Sequence, residues 1–397
     1  MRLMEEEKQY LAGTYGRFSL EAVSGRGAVC QGADGREYVD FTSGIGVNAL
    51  GFCDPDWAAA VAKQAATLQH TSNLYYTRPM VELAKRLCQR TFAKKVFFCN
   101  SGAEANEGII KAARKYGSDH YGPDRKVILC LENSFHGRTV TTLAATGQEV
   151  FHKHFFPFPA GFRFLKAGDL EGLRLALQEP DVCGLLVELI QGEGGVVPLE
   201  EDYVRQAWSL CRERDVLFMV DEVQTGVGRT GKFLCCEHYG ITPDLASLAK
   251  GLGGGLPLGA VLLGEKCADT LGPGDHGSTF GGNPVACAGG CVVLDKLNSA
   301  LLDQVAETGR YLTEKLLQMP RVASVEGRGM MLGITLREGA SGQLAAACLQ
   351  EGVMVLTAKE KLRLLPPLTL TRQEADLGLE RMAKALSGVA PAGTRAR

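Results

Sequence analysis

Short apolar runs alternate with stretches of helical spacing through the middle of the chain. The helical stretches include residues 103–116, with apolar side chains at every third or fourth position, and residues 200–215, where acids come early and arginines late. The apolar runs have the length of buried strands and lie at 94–100, 125–132, 183–190, 216–222 and 259–264. Continuous apolar strands separated by helices indicate an α/β fold with a mostly parallel sheet, covered by helices on both faces.

The pattern changes after about residue 285, where a long helical stretch at 299–319 precedes two β-type segments. This part predicts a smaller α+β unit, and the hairpin-like segment at 27–41 is expected to join it. We therefore divide the chain into an N-terminal segment of the small domain, a large domain and a C-terminal small domain, comprising residues 1–60, 61–284 and 285–397 respectively.

Composition narrows the possible classes of protein. The 397 residues include 43 basic and 45 acidic side chains, so neither a nucleic-acid footprint nor a polybasic membrane patch is predicted. The apolar runs fall short of the roughly 18 residues that a membrane span needs, and the acidic N-terminus lacks the apolar region of a secretory signal. The 13 cysteines are scattered without a CxxC motif, which favours reduced thiols and a cytoplasmic location.

Ligands of parallel sheets bind beyond the carboxyl ends of the strands, so the polar residues that follow each run are the candidates. Asp221 ends the hydrophobic run at 216–222, where a carboxylate is costly to bury without a partner. A pyridinium N–H would be a suitable partner. The alternatives are a cap of the next segment or a magnesium ligand, but the latter requires a glycine-rich Gly-Lys-Ser/Thr loop, which the chain lacks.

Lys250 lies in the sequence SLAKGLGGGLPLGA, at the end of an apolar stretch and before a run of glycines. A lysine in this setting can be approached closely by a planar group, and it loses its proton more easily when apolar groups and other cations surround it. Considered alone, a solvated surface lysine is the simpler interpretation. The interpretation of Lys250 therefore depends on which other candidate residues accompany it in the sequence.

Other candidates follow the first two apolar runs. Ser101, Gly102 and Ala103 lie at a strand-to-helix turn, where free amides would bind an anion, although a Ser N-cap with Glu104 as a capping box is the competing interpretation. After the run at 125–132, Phe135 and His136 could stack on a planar ring and Arg138 could bind a carboxylate. Further along the chain, the hydroxyl groups of Ser278 and Thr279 suit a phosphate. Arg138 could equally be a structural loop residue.

Together these residues would serve one cofactor, pyridoxal 5′-phosphate, and on the same motifs the chain resembles the class-III, or ornithine-type, aminotransferases of fold type I. The resemblance runs from about residue 10 to 385. It rests on motifs that match in order and spacing: NSGAEAN, FHGRT, QGEGGV, DEVQTGVGRTG, LAKGLGGGLPLGA and STFGGNP. Within the class the chain is most similar to the acetylornithine aminotransferases. Residues 61–284 would then be the cofactor-binding domain.

The resemblance implies a role for each matched cofactor position. Lys250 is expected to bind the cofactor covalently and to carry a proton during the reaction, while Asp221 keeps the pyridine nitrogen protonated. Phe135 is expected to stack on the ring and Gln224 to contact the side of the ring that bears O3′. The backbone amides of Gly102 and Ala103, which follow Ser101, are expected to bind the phosphate. The resemblance also implies a homodimer, in which Thr279 reaches the phosphate and Ser278 the substrate across the interface.

The resemblance also implies how two substrates share the site. The amino donor is N2-acetyl-L-ornithine, whose α-carboxylate is expected at Arg138, and the acceptor is 2-oxoglutarate, whose α-carboxylate is expected at Arg363. Glu193 would mask Arg363 while the donor reacts, because no carboxylate then lies beside the reacting amine. A loop carboxylate without a partner is the alternative for Glu193.

The implied reaction gives N-acetylglutamate 5-semialdehyde and glutamate, a step of arginine biosynthesis. The alternatives are a related enzyme acting on succinylornithine, ornithine, 4-aminobutyrate or a lysine-pathway amine, an intramolecular aminomutase of the same fold, or an inactive binding protein. Phe52, Asp54 and Leu189 depart from the usual family residues, which leaves the fine specificity open. No metal site is predicted, since His152 and His154 have no third ligand in view.

Overall fold

A seven-stranded sheet forms the centre of the computed structural model, which describes residues 2–389. Residues 390–397 of the predicted C-terminal domain lie outside the described residues. The helices are α1 (Arg2–Tyr10), α2 (Ser43–Gly46), α3 (Pro55–Thr67), α4 (Arg78–Arg90), α5 (Gly102–Tyr121), α6 (Val140–Ala144), α7 (Leu170–Ala176), α8 (Glu201–Glu213), α9 (Cys236–Tyr239), α10 (Pro284–Lys296), α11 (Ser299–Leu317), α12 (Ser341–Gln350) and α13 (Arg372–Gly388).

The strands are short, as is usual for a sheet of this kind. They are β1 (Ala22–Arg26), β2 (Val29–Gly32), β3 (Glu37–Asp40), β4 (Lys95–Cys99), β5 (Val127–Leu131), β6 (Phe162–Leu165), β7 (Val182–Val187), β8 (Ile190–Gln191), β9 (Val197–Pro198), β10 (Leu217–Asp221), β11 (Leu245–Leu248), β12 (Gly259–Leu263), β13 (Val322–Arg328), β14 (Met331–Leu336), β15 (Val353–Met354), β16 (Leu356–Ala358) and β17 (Lys361–Leu364).

The central sheet has the strand order β4-β12-β11-β10-β7-β5-β6. Pairing from β6 through β11 is parallel, whereas β12 runs antiparallel to both of its neighbours. The carboxyl ends of β4, β5, β7, β10 and β11 therefore lie at one edge of the sheet. The prediction of a mostly parallel sheet between helices is confirmed, and that edge is where the candidate residues converge.

The sheet is buried on both faces because successive side chains of each strand point in opposite directions. In β10, Leu217 and Met219 pack with the apolar face of α5, while Phe218 and Val220 join the larger core on the other face. This two-sided burial explains the continuous apolar runs in the sequence, since neither face of the inner strands needs to be polar.

Two smaller four-stranded sheets lie outside the central one, with the orders β1-β2-β3-β15 and β13-β14-β17-β16. In the first, β3 near the N-terminus pairs in parallel with β15, placing Val39 opposite Val353. This pairing joins the N-terminal segment to the C-terminal part of the chain. The three-part division at residues 60 and 284 stays a prediction.

Among residues 2–389, the structure contains no single helix that is long and apolar enough to cross a membrane. The helices α10 and α11 are long and apolar enough for a membrane span only when taken together, and they are bent by 76° relative to each other.

Candidate active site

A cavity of about 470 Å³ opens at the edge of the sheet where the parallel strands end. Residues at or after the carboxyl ends of five strands, β4, β5, β7, β10 and β11, meet in it, which is where ligands of such sheets bind. The predicted residues that line it are Ser101, Gly102, Ala103, Phe135, His136, Arg138, Asp221, Gln224 and Lys250. The fold thus brings together nine positions that are scattered over about 150 residues of sequence.

Asp221 is the last residue of β10 and is almost fully buried. Its Oδ2 atom lies 2.8 Å from Nδ1 of His136 and accepts a hydrogen bond of 2.7 Å from Nδ2 of Asn106. Its Oδ1 atom accepts a 3.0 Å bond from the backbone amide of Val223. The carboxylate is therefore fixed in orientation by groups from three segments.

His136 has a different place from the one expected from sequence. The residue was a candidate for stacking on a ring, but its side chain is buried beneath the cavity and faces Asp221. Its Nε2 atom is buried without a hydrogen-bond partner among residues 2–389. Sequence reasoning missed this contact because residues 136 and 221 come together only through the order of β5 and β10 in the sheet. Both Phe135 and His136 contribute to the cavity wall, and Phe135 is the more exposed of the two.

Lys250 directly follows Ala249, the residue after β11, and begins a 3₁₀ turn that ends at Gly253. Its backbone φ is 44°, a left-handed conformation that directs the chain into the glycine run. Burial at the cavity lowers the pKa of the Lys250 amine, although the nearby Asp221 and Glu193 carboxylates oppose this shift. The neutral amine is therefore more available than in a surface lysine, which makes it a better nucleophile and base.

The start of α5 combines both interpretations offered for Ser101. The Ser101 hydroxyl accepts a 3.2 Å bond from the Glu104 amide as an N-cap, but the Glu104 carboxylate bonds the amide of Asn100, so the capping box is incomplete. The amides of Gly102 and Ala103 have no hydrogen-bond acceptor among the described residues. A Cβ atom at Gly102 would lie 2.6 Å from Cγ1 of Val223, so only glycine fits there. The helix start thus keeps free donors for an anion.

Arg363 lies on β17 and is buried, next to Gln224 of the cavity wall. Its Nη1 atom donates a 2.6 Å hydrogen bond to Oε1 of Glu193 and a 3.3 Å bond to Oε1 of Gln224. The alternative in which Glu193 has no partner is therefore wrong. The ion pair joins two residues 170 positions apart in the chain, so no local pattern could have paired them.

Ser278 and Thr279, like Glu193 and Arg363, are candidate residues that do not line the cavity. The Ser278 hydroxyl accepts bonds from Nδ2 of Asn100, at 3.1 Å, and from the amide of Gly281, at 3.0 Å, whereas Thr279 is exposed. The expectation that they act across an interface between two subunits stays a prediction.

Two buried glutamates beside the site were not predicted. Glu188 follows β7 and accepts bonds from the amides of Phe135, at 2.8 Å, and Gly192, at 3.1 Å, and burial raises the pKa of its carboxyl group. Glu222 follows Asp221, and burial raises the pKa of its carboxyl group to about 7. Glu188 directly follows an apolar run, so the rule that singled out Asp221 would also have found it.

Comparison with known proteins agrees with this geometry. The family profile described as aminotransferase class-III matches residues 10–386 of the chain. An acetylornithine aminotransferase of Haemophilus ducreyi is 49% identical over 387 residues, which cover 97% of this chain and 98% of that protein. The chain belongs to the class-III aminotransferases.

Solved structures extend the likeness from sequence to fold. The ornithine aminotransferase of Toxoplasma gondii, in a structure with partial occupancy of pyridoxal phosphate at the active site, has a TM-score of 0.91 at 31% identity and covers 96% of this chain and 93% of its own. The N-acetylornithine aminotransferase of Stenotrophomonas maltophilia has a TM-score of 0.84 at 35% identity and covers 97% and 98%. The expectation of fold type I is confirmed.

Class-III aminotransferases depend on pyridoxal 5′-phosphate, and the cavity of this aminotransferase fits that cofactor. The fit rests on four features of its wall: the orientated carboxylate of Asp221, the amine of Lys250 with its lowered pKa, the aromatic face of Phe135 and the unpaired amides at the start of α5. These supply an acceptor for a ring N–H, a covalent attachment point, a stacking surface and a phosphate site.

Proposed function

We propose that this aminotransferase moves the distal amino group of N2-acetyl-L-ornithine to 2-oxoglutarate, giving N-acetylglutamate 5-semialdehyde and glutamate in arginine biosynthesis. The observation that carries the proposal is the contrast between two arginines at one cavity. Arg363 is capped by Glu193, whereas Arg138 has no carboxylate within ion-pair distance among residues 2–389. A donor with one distant carboxylate and an uncharged group beside its reacting amine matches that arrangement.

The cavity residues would share the work of holding the cofactor. Lys250 would hold it covalently, Asp221 would accept a hydrogen bond from its ring nitrogen, Phe135 would stack on it, and Gln224 would contact the side of the ring that bears O3′. The amides of Gly102 and Ala103, next to Ser101, would bind its phosphate. When bound, pyridoxal 5′-phosphate supplies an electron sink that stabilises negative charge on the carbon bearing the amino group.

The protein's own part of the chemistry is proton movement and charge placement. When its amine is not bound to the cofactor, Lys250 would serve as the base that holds the proton removed from the carbon bearing the donor's amine, for which a lowered pKa is suited. The fixed carboxylate of Asp221 would accept a hydrogen bond from a protonated ring nitrogen and so stabilise the positive charge there. Arg138 binds the distant carboxylate and sets the distance between it and the reacting carbon.

The Glu193–Arg363 pair lets one site serve both substrates. During the donor half-reaction Glu193 neutralises Arg363, so the region beside the reacting amine carries no free positive charge. During the second half-reaction the α-carboxylate of 2-oxoglutarate takes the place of Glu193 and pairs with Arg363. Glu193 is 29% exposed at its side chain whereas Arg363 is 3% exposed, which supports the carboxylate as the moving partner.

We further propose a homodimer in which Thr279 of a second subunit contacts the phosphate and Ser278 lies towards substrate. Support comes from a group of exposed apolar side chains around these residues: Leu74, Tyr75, Tyr76 and Phe280, of which Tyr76 is 98% exposed. Exposed apolar patches of this kind mark interaction surfaces. The free thiols of all 13 cysteines support the proposed cytoplasmic location.

A single half-reaction assay tests the substrate. The cofactor-loaded protein is mixed in turn with N-acetylornithine, N-succinylornithine, ornithine and 4-aminobutyrate without a keto acid, and the change in cofactor absorbance is followed. The fastest conversion is expected with N-acetylornithine, and Lys250→Ala is the inactive control. Faster conversion of another donor would move the reaction to a different pathway while leaving the chemistry intact.

A further inference from the structure

We propose that Phe151 is a specificity-determining positioning residue, whose ring holds the guanidinium of Arg138 by its flat face and leaves the N–H edges free for the carboxylate of the amino donor. This inference rests on the proposed function of Arg138. Phe151 was not among the candidates found in the sequence, and it is not part of the cavity wall. Its effect would therefore be transmitted through Arg138.

The side chains of Phe135, Arg138 and Phe151 form a cluster, of which Phe135 and Arg138 line the cavity. The Cζ atom of Arg138 lies 4.1 Å from the centroid of the Phe151 ring and 5.5 Å from that of Phe135. The two rings meet edge to face, with centroids 5.7 Å apart and an interplanar angle of 76°. Because Phe135 also lines the cavity, Phe151 fixes Arg138 relative to the ring-stacking residue itself.

An aromatic ring is a different kind of partner from a carboxylate. It attracts the cation through the face of its π-system but occupies none of the five N–H donors, so the charge of Arg138 stays uncompensated and its planar fork stays available. No carboxylate of residues 2–389 lies within ion-pair distance of Arg138. A substrate carboxylate can therefore bind in a bidentate manner without first displacing a protein anion.

Phe151 is itself held rigidly against the loop that carries Arg138. The segment that leads to it is docked by four hydrogen bonds onto residues 133 and 134: the Asn133 amide donates to the Gly147 carbonyl, the Gly147 amide donates to the Ser134 hydroxyl, and Nε2 of Gln148 donates to the carbonyls of both. A Cβ atom at Gly147 would lie 2.2 Å from the Leu131 carbonyl oxygen, so this approach requires glycine.

The docking explains why a ring at position 151 can set the place of a guanidinium at position 138. Residues 133–138 and 147–151 move as one unit if their backbones are bonded together, and the 3₁₀ turn at Glu149–Phe151 presents the ring towards Arg138. An exposed arginine without such support would sample many rotamers. Immobilising a long side chain in advance reduces the conformational entropy that is lost when substrate binds.

The test compares N-acetylornithine with its α-carboxamide, which differs only in lacking the negative charge. The ratio of their kcat/KM values in the donor half-reaction measures what the carboxylate contributes. Phe151→Leu keeps an apolar side chain but removes the π-face, and Phe151→Tyr keeps the face. We expect the acid-to-amide ratio to fall by roughly 2- to 10-fold in Phe151→Leu and to be retained in Phe151→Tyr, as a cation–π contact at a partly exposed site predicts.

Two further variants separate the possible outcomes. Phe155→Leu changes an exposed phenylalanine of the same loop and should leave the ratio unchanged. Arg138→Gln should bring the ratio close to one. If Arg138→Gln collapses the ratio but Phe151→Leu behaves like Phe155→Leu, the role of Phe151 is wrong and that of Arg138 stands. If Arg138→Gln leaves the ratio intact, the proposed anchor is wrong and the inference falls with it.

An equilibrium measurement guards against effects on the chemical step or on folding. N-acetylnorvaline carries the acetyl group and the carboxylate but no distal amine, so it can bind without reacting. Its dissociation constant, measured by calorimetry with the cofactor-loaded protein, should rise by the same factor in Phe151→Leu as the kinetic ratio falls. An unchanged dissociation constant would overturn the inference even if the kinetic ratio moved.

Discussion

Oε1 of Glu193 lies 2.6 Å from Nη1 of Arg363, whereas Arg138, the arginine of the cavity wall, has no carboxylate partner among residues 2–389. The two arginines are thus treated differently by the same fold. One is buried and neutralised by a carboxylate from the loop after β8, and the other is exposed and supported by aromatic faces. The neutralised Arg363 and the unpaired Arg138 together favour a substrate with a single carboxylate far from its reacting amine.

The first prediction concerns Glu193. In Glu193→Gln the charge of Arg363 is no longer cancelled, and an uncharged group beside the donor's amine must meet it. We expect the donor half-reaction with N-acetylornithine to slow by roughly 10- to 100-fold, the range for loss of a charge-assisted hydrogen bond. The 2-oxoglutarate half-reaction should change less. Stopped-flow absorbance of the two half-reactions measures both, and equal losses would contradict the proposed exchange of partners.

The second prediction concerns the pH at which Lys250 becomes reactive. Burial lowers the pKa of its amine, so the neutral form should predominate at a lower pH than for an ordinary lysine. The rate at which cofactor-free protein takes up pyridoxal 5′-phosphate covalently should therefore rise with pH and reach its plateau earlier than the same reaction with N-acetyl-lysine methylamide. Rates measured by absorbance between pH 6 and 10 test this. Coincident profiles would show that the site does not lower the pKa.

The third prediction concerns Glu222, which is fully buried beside Asp221. Its Oε1 atom accepts from the Cys236 amide at 2.9 Å, and its Oε2 atom accepts from the Thr225 hydroxyl at 2.6 Å. Burial raises the pKa of the carboxyl group from 4.5 to about 7. The folded state therefore holds the proton more tightly than the unfolded state, so the stabilisation is complete at low pH and is lost as the pH rises through about 7.

Glu222→Gln should remove that pH dependence. Glutamine can replace the protonated acid, since its carbonyl accepts from Cys236 and its amide donates to the Thr225 hydroxyl, which can reverse its role. We expect similar melting temperatures of variant and parent at pH 5 and a variant more stable by roughly 3 kcal/mol at pH 8, at 1.36 kcal/mol for each unit of pKa shift. A difference in melting temperature that does not grow with pH would contradict this.

Much of the site could be predicted from sequence because one physical rule covers it. Asp221 and Lys250 are polar residues at the ends of apolar strands, and parallel strands bring such ends together. The antiparallel direction of β12 could not be predicted, because a continuous apolar run has the same pattern in either direction. The contact of His136 with Asp221 and the Glu193–Arg363 pair depend on strand order and on the packing of the small domain, which local patterns do not contain.

The fourth prediction concerns Glu188 and uses Glu222→Gln as its matched control. Both are buried glutamates whose pKa is raised by burial, but Glu188 accepts from two backbone amides, those of Phe135 and Gly192, which cannot reverse their role. In Glu188→Gln the side-chain carbonyl can satisfy one amide, and its NH₂ group must then face the other donor. A buried amide left unpaired costs about 1–3 kcal/mol.

The two amides belong to the segments that carry Phe135 and Glu193. Loss of a hydrogen bond to Glu188 should therefore shift both segments. We expect Glu188→Gln to bind pyridoxal 5′-phosphate roughly 5- to 100-fold more weakly, in proportion to that cost, and to melt at a lower temperature than the parent. Glu222→Gln should do neither. Equilibrium dialysis of the cofactor with both variants measures the affinity. If Glu188→Gln bound the cofactor as tightly as Glu222→Gln, the Glu188 carboxylate would not be what holds the two loops in place.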